Sequence, residues 1–443
     1  MSSEIDTCTD AVEARTIRKV RTRILPFLFL LYIICFLDRI NISFAALTMN
    51  KELAITSQQF GLLSGIFFFG YFLFEVPSNL LLHRIGARIW IARILITWGF
   101  VAMLAGFVHN VHQLYGVRFL LGLAEAGYYP GVVLYLTYWF RQREQAHAIA
   151  LVLVGVPLAS VLGAPVSGLI LDHVHWLGVS SWRWLLILEG APAVVCGVFT
   201  YFLLPTRPAE AKFLALDQKD WIIAELAREH EETLGEHLIS VAKTFTHLRV
   251  LHLASIQFTF VIGTYSLSFW MPQVIKSLSS HYSNTMVGFL AVLPQLVGLA
   301  GMVLVSRSSD QRLERRYHAA IAALAGGIGW LLLGTTTSPV VSMLLLSLVA
   351  AGTYSIAGPF FSLPSEFLTG YAAASGIALI NSFGNLGGLV GPYAIGAIQD
   401  KTGSLHGGLA FVGVSMIVSA VLLWLLPRKA RLRAELTGNL RGA

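Results

Sequence analysis

Charge is scarce in this sequence: 12% of its 443 residues are Asp, Glu, Lys or Arg against 56% hydrophobic, and the mean hydropathy is +0.69. A soluble domain of this length carries more charge than that, so water is excluded as the main solvent of the chain. Cysteine is equally rare. Cys8, Cys35 and Cys196 lie far apart, two of them inside apolar segments, so neither a disulfide framework nor a metal site is expected. A small-residue cleavage site is missing after the basic leader (Arg15, Arg18, Lys19, Arg21, Arg23), and the apolar run that follows is too long for a signal peptide, so no cleaved leader is expected. Also missing are a paired nucleophile and base near an interface, and any loop long enough to be a soluble output domain. Enzyme and sensor readings lose their footing, and no cofactor is expected.

What remains is a succession of apolar stretches, each of about 20 residues and able to cross a hydrocarbon core roughly 30 Å thick as a helix. Lipid offers the backbone no hydrogen-bond partners, so these stretches are expected to be helices. Twelve are expected, at 24–47, 58–82, 87–108, 112–136, 146–171, 183–204, 251–273, 284–306, 317–335, 339–362, 371–398 and 405–427. The fold class that follows is an all-α membrane protein of two six-helix bundles, residues 1–204 and 251–443. They are joined by a polar linker, 205–250, which opens on Pro205 and Pro208 and carries one amphipathic or solvated helix rich in Asp217, Lys219, Asp220, Glu225, Arg228, Glu229, Glu231 and Glu232.

The net charge of +7 is a topology signal and not a nucleic-acid patch, because the basic residues lie in short segments between the apolar runs. Tails and even-numbered loops hold Arg84, Arg88, Arg141, Arg143, Arg207, Lys212, Arg307, Arg312, Arg315, Arg316, Arg428, Lys429, Arg431 and Arg433, whereas the opposite loops hold Lys51, Lys276 and Lys401. Both termini are therefore expected in the cytoplasm of a multi-pass inner-membrane protein.

Four ionisable residues interrupt the apolar spans of the first half: Asp38 and Arg39 in the first span, Arg118 and Glu125 in the fourth. Facing lipid, each would cost a few kcal/mol or more, so each must face protein, water or a partner. Two internal salt bridges would account for them, although buried pairs are often no better for stability than apolar packing. A hydrated transport path accounts for them as well. Arg118, Gly122 and Glu125 stand at i, i+4 and i+7 and share a helix face, with Gly122 leaving room for a ligand or a neighbouring helix. Carboxylates gain and lose protons, while arginines stay charged and offer a planar fork to a carboxylate. Two exchangeable acids beside two permanent cations are the parts needed to couple proton binding to anion binding.

The run Leu37-Asp38-Arg39-Ile40-Asn41-Ile42, and the run from Arg118 to Gly131 with Gly122, Glu125, Gly127, Tyr128, Tyr129 and Pro130, resemble the anion:cation symporter family of the major facilitator superfamily. The similarity extends over essentially the whole chain. It implies two pseudo-symmetric bundles working by alternating access. The implied activity is uptake of a small organic anion, such as a sugar acid, tartrate or aromatic carboxylate, together with protons. The resemblance further implies proton-coupling roles for Asp38 and Glu125, and substrate contacts for Arg39, Arg118, Tyr71, Ser362 and Asn385. The expected partners are the anion, protons and the bilayer, with no nucleic acid, for a carrier acting as a monomer. Proton-driven export of drugs or metabolites is the alternative. The chain departs from the superfamily pattern at His83, which stands where the loop after the second span normally has an acid. It departs from some sugar-acid carriers at Val156, where they carry a glutamine. Glu75 is expected in a structural or gating hydrogen bond, Glu189 in a structural pair with Arg183, His173, His175 and His281 in solvated loops, and Glu366 against a basic loop.

Overall fold

The computed structural model describes residues 2–234, 248–364 and 370–426; Glu366 and the basic tail from Arg428 onward lie outside the described residues. The first half comprises α1 (Ser2–Glu52), α2 (Ser57–Ile85), α3 (Ala87–Leu104), α4 (Val111–Glu125), α5 (Tyr128–Thr137), α6 (Gln142–Leu153), α7 (Gly155–His173) and α8 (Ser181–Leu203). After α9 (Leu216–Leu234) come α10 (Leu248–Ser277), α11 (Asn284–Arg312), α12 (Arg316–Leu333), α13 (Pro339–Ser355), α14 (Ala357–Ser362), α15 (Gly370–Asn385), α16 (Gly387–Thr402) and α17 (His406–Leu425). Among the described residues, 11 helical stretches are long and apolar enough to cross a bilayer. The twelfth expected crossing is the pair α15 and α16, interrupted at Leu386. α1 is longer than its apolar run, extending on the side that carries the chain termini, here the terminal face.

Four of the expected spans are broken and not continuous. The fourth divides into α4 and α5 because Ala126 leaves helical geometry and Gly127 takes a left-handed φ of +83°, a conformation that costs glycine least. The break is satisfied locally: Ser78 Oγ donates to the Ala126 carbonyl (2.6 Å) and itself accepts from Trp90 Nε1 (3.0 Å). The fifth, tenth and eleventh spans divide at Val154, Ile356 and Leu386. Non-helical backbone at membrane depth is tolerated where it is buried in protein or lines a cavity.

Of the two characters expected for the linker helix, α9 takes the amphipathic one and docks by one face. Its Ile222 is fully buried and its Trp221 ring lies under Arg141 (5.0 Å to the ring centroid). Arg141 binds Glu13 (2.8 Å) of the α1 extension and lies 3.6 Å from Glu225 of α9, while Lys19 donates to Gln218 (2.9 Å). One arginine thus ties three segments together at the terminal face.

At the opposite end, the far face, the two halves close on each other along two seams. Asp400 at the end of α16 accepts the backbone amides of Ser57 and Gln58 at the start of α2 (3.1 and 2.9 Å). In the mirrored arrangement, Asp172 at the end of α7 accepts those of Asn284 and Thr285 at the start of α11 (3.3 and 2.7 Å). Each carboxylate meets the donor-rich, positive end of a helix in the other half. Glycine lets the backbones meet: a Cβ at Gly396 would fall 2.0 Å from the Ser57 carbonyl oxygen, and one at Gly288 2.3 Å from that of Ala164.

Candidate functional site

The first and fourth spans bring the four charges to one place, Asp38, Arg118 and Glu125 buried and Arg39 nearly so, with a pairing the sequence left open. Arg39 Nη2 pairs with Glu125 Oε1, which also accepts from Cys35 Sγ (3.2 Å). Arg39 Nη1 donates to the Tyr265 hydroxyl of α10 (3.1 Å), so this one side chain bridges the two halves. Its guanidinium is walled by the rings of Phe36, Phe67 and Tyr71, at 4.9, 5.1 and 5.7 Å from their centroids. Charge over an aromatic face is attractive and strengthens out of water.

Arg118 is different. It is 2% exposed, sits over the Phe67 ring (5.4 Å), and its Nε and Nη2 have no hydrogen-bond partner. Glu125 Oε2 is likewise buried and unpartnered. Arg118 therefore forms no salt bridge with Glu125, although both lie on α4, and its charge is felt by Glu125, Arg39 and Asp38 across the gap. Of the two internal salt bridges the sequence allowed, one forms. The reason lies at Gly122 between them: a Cβ there would meet the Phe67 carbonyl at 2.1 Å, so α2 packs on this face and its aromatic residues separate the two ends of the stripe. Of the two uses the sequence allowed for Gly122, the neighbouring helix takes the space.

Asp38 has no cation on it. It is 1% exposed, and its Oδ2 accepts from Trp98 Nε1 of α3 (2.8 Å) while Oδ1 faces the Asn41 amide (3.4 Å). Tyr71 joins the site through its ring. Ser362 Oγ donates to the Gly358 carbonyl of its own helix (3.2 Å), and Asn385 ends α15 beside the break; the structure gives neither residue a described contact with the arginines. Val156 is half-buried against the apolar core at the start of α7. The residues missed by sequence reasoning are Tyr265, Trp98, Cys35, Asn41 and Phe67. A polar tip on an aromatic residue inside an apolar span was the available signal for the first two.

The expected pair of Glu189 with Arg183 does not form. Arg183 reaches the carbonyls of Gly106 and Val108 (3.1 and 2.6 Å) and Glu52 (3.5 Å), whereas Glu189 accepts from Ser167 Oγ (2.7 Å). Arg183 sits two turns nearer the far face, where orphan carbonyls ending α3 attract it. Glu75 accepts from Ser382 Oγ (2.7 Å), a bond between α2 and α15 and so between the halves. In the loop after the second span Arg88 lies 3.9 Å from Glu210, while after the eighth span Arg315 pairs with Asp310. No cluster of metal-ligating side chains occurs among the described residues.

A two-half helical bundle with charges gathered at its middle, two of them on a broken span, is the architecture of a membrane carrier. The model of the Major Facilitator Superfamily matches residues 28–392, and the chain belongs to that family. It is 45% identical to a protein of Agrobacterium vitis named "Putative tartrate transporter" over 95% of this chain and 96% of that one. It is 36% identical to the "Quinolone resistance transporter" of Acinetobacter baumannii over 97% and 99% of the two chains. The fold matches the crystal structure of a D-xylose-proton symporter with a TM-score of 0.74 at 14% identity, covering 92% of this chain and 98% of that one.

Proposed function

We propose that this transporter takes up a small organic anion, with tartrate the first candidate, in symport with protons by alternating access. The observation that carries the reading is Arg118, a permanent cation buried beside a second arginine with two of its donors unpartnered. A carboxylate of the substrate suits those donors by charge and by the planar fork. Glu125 already holds Arg39, so anion and Glu125 compete for one guanidinium. Protonating Glu125 releases Arg39 to the substrate, and this competition is the coupling. Tyr265 extends the same guanidinium to the second half, so occupancy of the site reaches both bundles. On this reading the basic terminal face is cytoplasmic, the far face is outside, and the carrier works as a monomer with bundles 1–204 and 251–443.

Proteoliposomes with an imposed inward proton gradient test this. Labelled tartrate should accumulate, and collapse of the gradient should abolish accumulation while leaving counterflow exchange. Accumulation only of hydrophobic amphiphiles, moving outward, would instead favour the exporter reading that the 36% identical quinolone-resistance relative supports.

A further inference from the structure

A third acid is buried in the first half, and the coupling just described does not use it. Glu189 of α8 is 7% exposed; Ser167 donates to its Oε1, the Asn41 amide lies against the carboxyl, and Oε2 has no hydrogen-bond partner within 3.5 Å. The same Asn41 faces Asp38, which feels the charge of Glu189. Depth orders these groups. Ser167 and Glu189 stand about two helical turns from the far ends of α7 and α8, Asn41 about three turns from the far end of α1, and Asp38 about four. They form a polar file leading inward from the far face to Asp38.

The surroundings leave Glu189 without a compensating charge. From α1 the titratable groups nearby are Asp38 and, at the far end, Glu52, which is engaged by Trp182 and Arg183. From α3 come Trp98, bound to Asp38, and Arg93, stacked on Trp90. From α7 come Ser167, Asp172, which caps α11, and His173, bonded to Leu169. Arg183 of α8 is occupied at the α3 end. A carboxylate buried with no cation is costly as an ion, and as an acid it has a proton to give. Its Oε2 is buried without a hydrogen-bond partner, which leaves that oxygen able to carry a proton.

We propose that Glu189 is a third proton-binding carboxyl of the carrier, coupled to Asp38 across Asn41 and lying on the far-face approach to it. The proposal rests on the symport reading for its use in transport, though not for its existence. Protons bound from outside reach Glu189 first, and its occupancy sets how readily Asp38 gives up its own, as for any two interacting sites.

Infrared difference spectroscopy of the purified transporter, titrated with pH, tests the site directly. A protonated-carboxyl band should be lost in Glu189→Gln, return in Glu189→Asp, and titrate about one pH unit away from its wild-type midpoint in Asp38→Asn, a tenfold change in proton concentration. In proteoliposomes Glu189→Gln should shift the pH dependence of gradient-driven tartrate uptake by a similar amount while counterflow continues. The glutamine keeps the Ser167 bond, so a structural role alone would leave both readouts unmoved. A band that does not titrate, or whose midpoint ignores Asp38, overturns the proposal. Wild type that shows the coupled band but no proton-driven tartrate uptake sinks the importer reading and leaves the proton site standing.

Discussion

Glu125→Gln should tighten tartrate binding at neutral pH. In the folded site Glu125 is 1% exposed and occupies Arg39, so an incoming carboxylate must displace it. Two unit charges about 4 Å apart attract by about 4 kcal/mol at an effective dielectric constant of about 20. Glutamine keeps a neutral hydrogen bond to the guanidinium, about 1 kcal/mol. The difference, about 3 kcal/mol, is the ceiling on the gain, equivalent to about two orders of magnitude in Kd. Relaxation and partial hydration will take part of it, leaving about tenfold as the expected result. The ligand-free variant should melt lower, because two buried arginines then face each other with less to hold them; removing one member of a buried pair costs up to about 3–5 kcal/mol. Calorimetric titration with tartrate at two pH values, together with melting curves, reads both effects. Wild type should bind more tightly at the lower pH, and the variant should not. Equal or weaker binding by Glu125→Gln at neutral pH, or wild-type affinity that ignores pH, would refute competition as the coupling device.

Arg39→Lys keeps the charge but cannot pair with Glu125 and donate to Tyr265 in one plane, so tartrate binding should weaken at least tenfold by calorimetry; unchanged affinity would remove Arg39 from the site. Asp38→Asn should abolish accumulation and spare exchange, and normal accumulation would end its role in coupling. Gly396→Leu puts a side chain where the Ser57 carbonyl lies 2.0 Å away, so spin labels across the α2–α16 seam should report separated far ends and slowed uptake; an unchanged distance distribution contradicts the seam. Hydrogen bonding to Arg141 lowers Glu13 from its ordinary 4.5. A depressed carboxyl adds stability above its unfolded value and loses it as pH falls through the folded one, so docking of α1 and α9 should persist at neutral pH and loosen only in acid. Exchange protection of α9 checks this, and should fall at neutral pH in Arg141→Ala.

The membrane class and the charges inside the bundle were legible because lipid makes such charges conspicuous: Asp38, Arg39, Arg118 and Glu125 stand out of apolar runs with nothing to camouflage them. Their partners were not legible. Shared helix face linked Arg118 to Glu125, yet Glu125 turned to Arg39, since pairing is decided by how α1 and α2 pack on α4 and not by spacing within α4. Nearness along α8 linked Glu189 to Arg183, and packing against α7 gave it Ser167. Tyr265 comes from the other half of the chain and Trp98 from another helix; as aromatic residues in apolar spans both read as core. The breaks at Val154, Ile356 and Leu386 lie in apolar windows, where glycine and the prolines that follow (Pro157, Pro359, Pro392) were the available hints; at Ala126 the hints were Glu125, Gly127 and Pro130.

The far-face seams combine close backbone approach at Gly396 and Gly288 with two carboxylate latches, Asp400 and Asp172, each holding the start of a helix in the other half. Evolution can therefore adjust how long such a carrier waits facing either compartment by changing a glycine or an aspartate at the rim, far from the arginines. Which molecule is carried and which way the resting carrier points become separately inheritable traits.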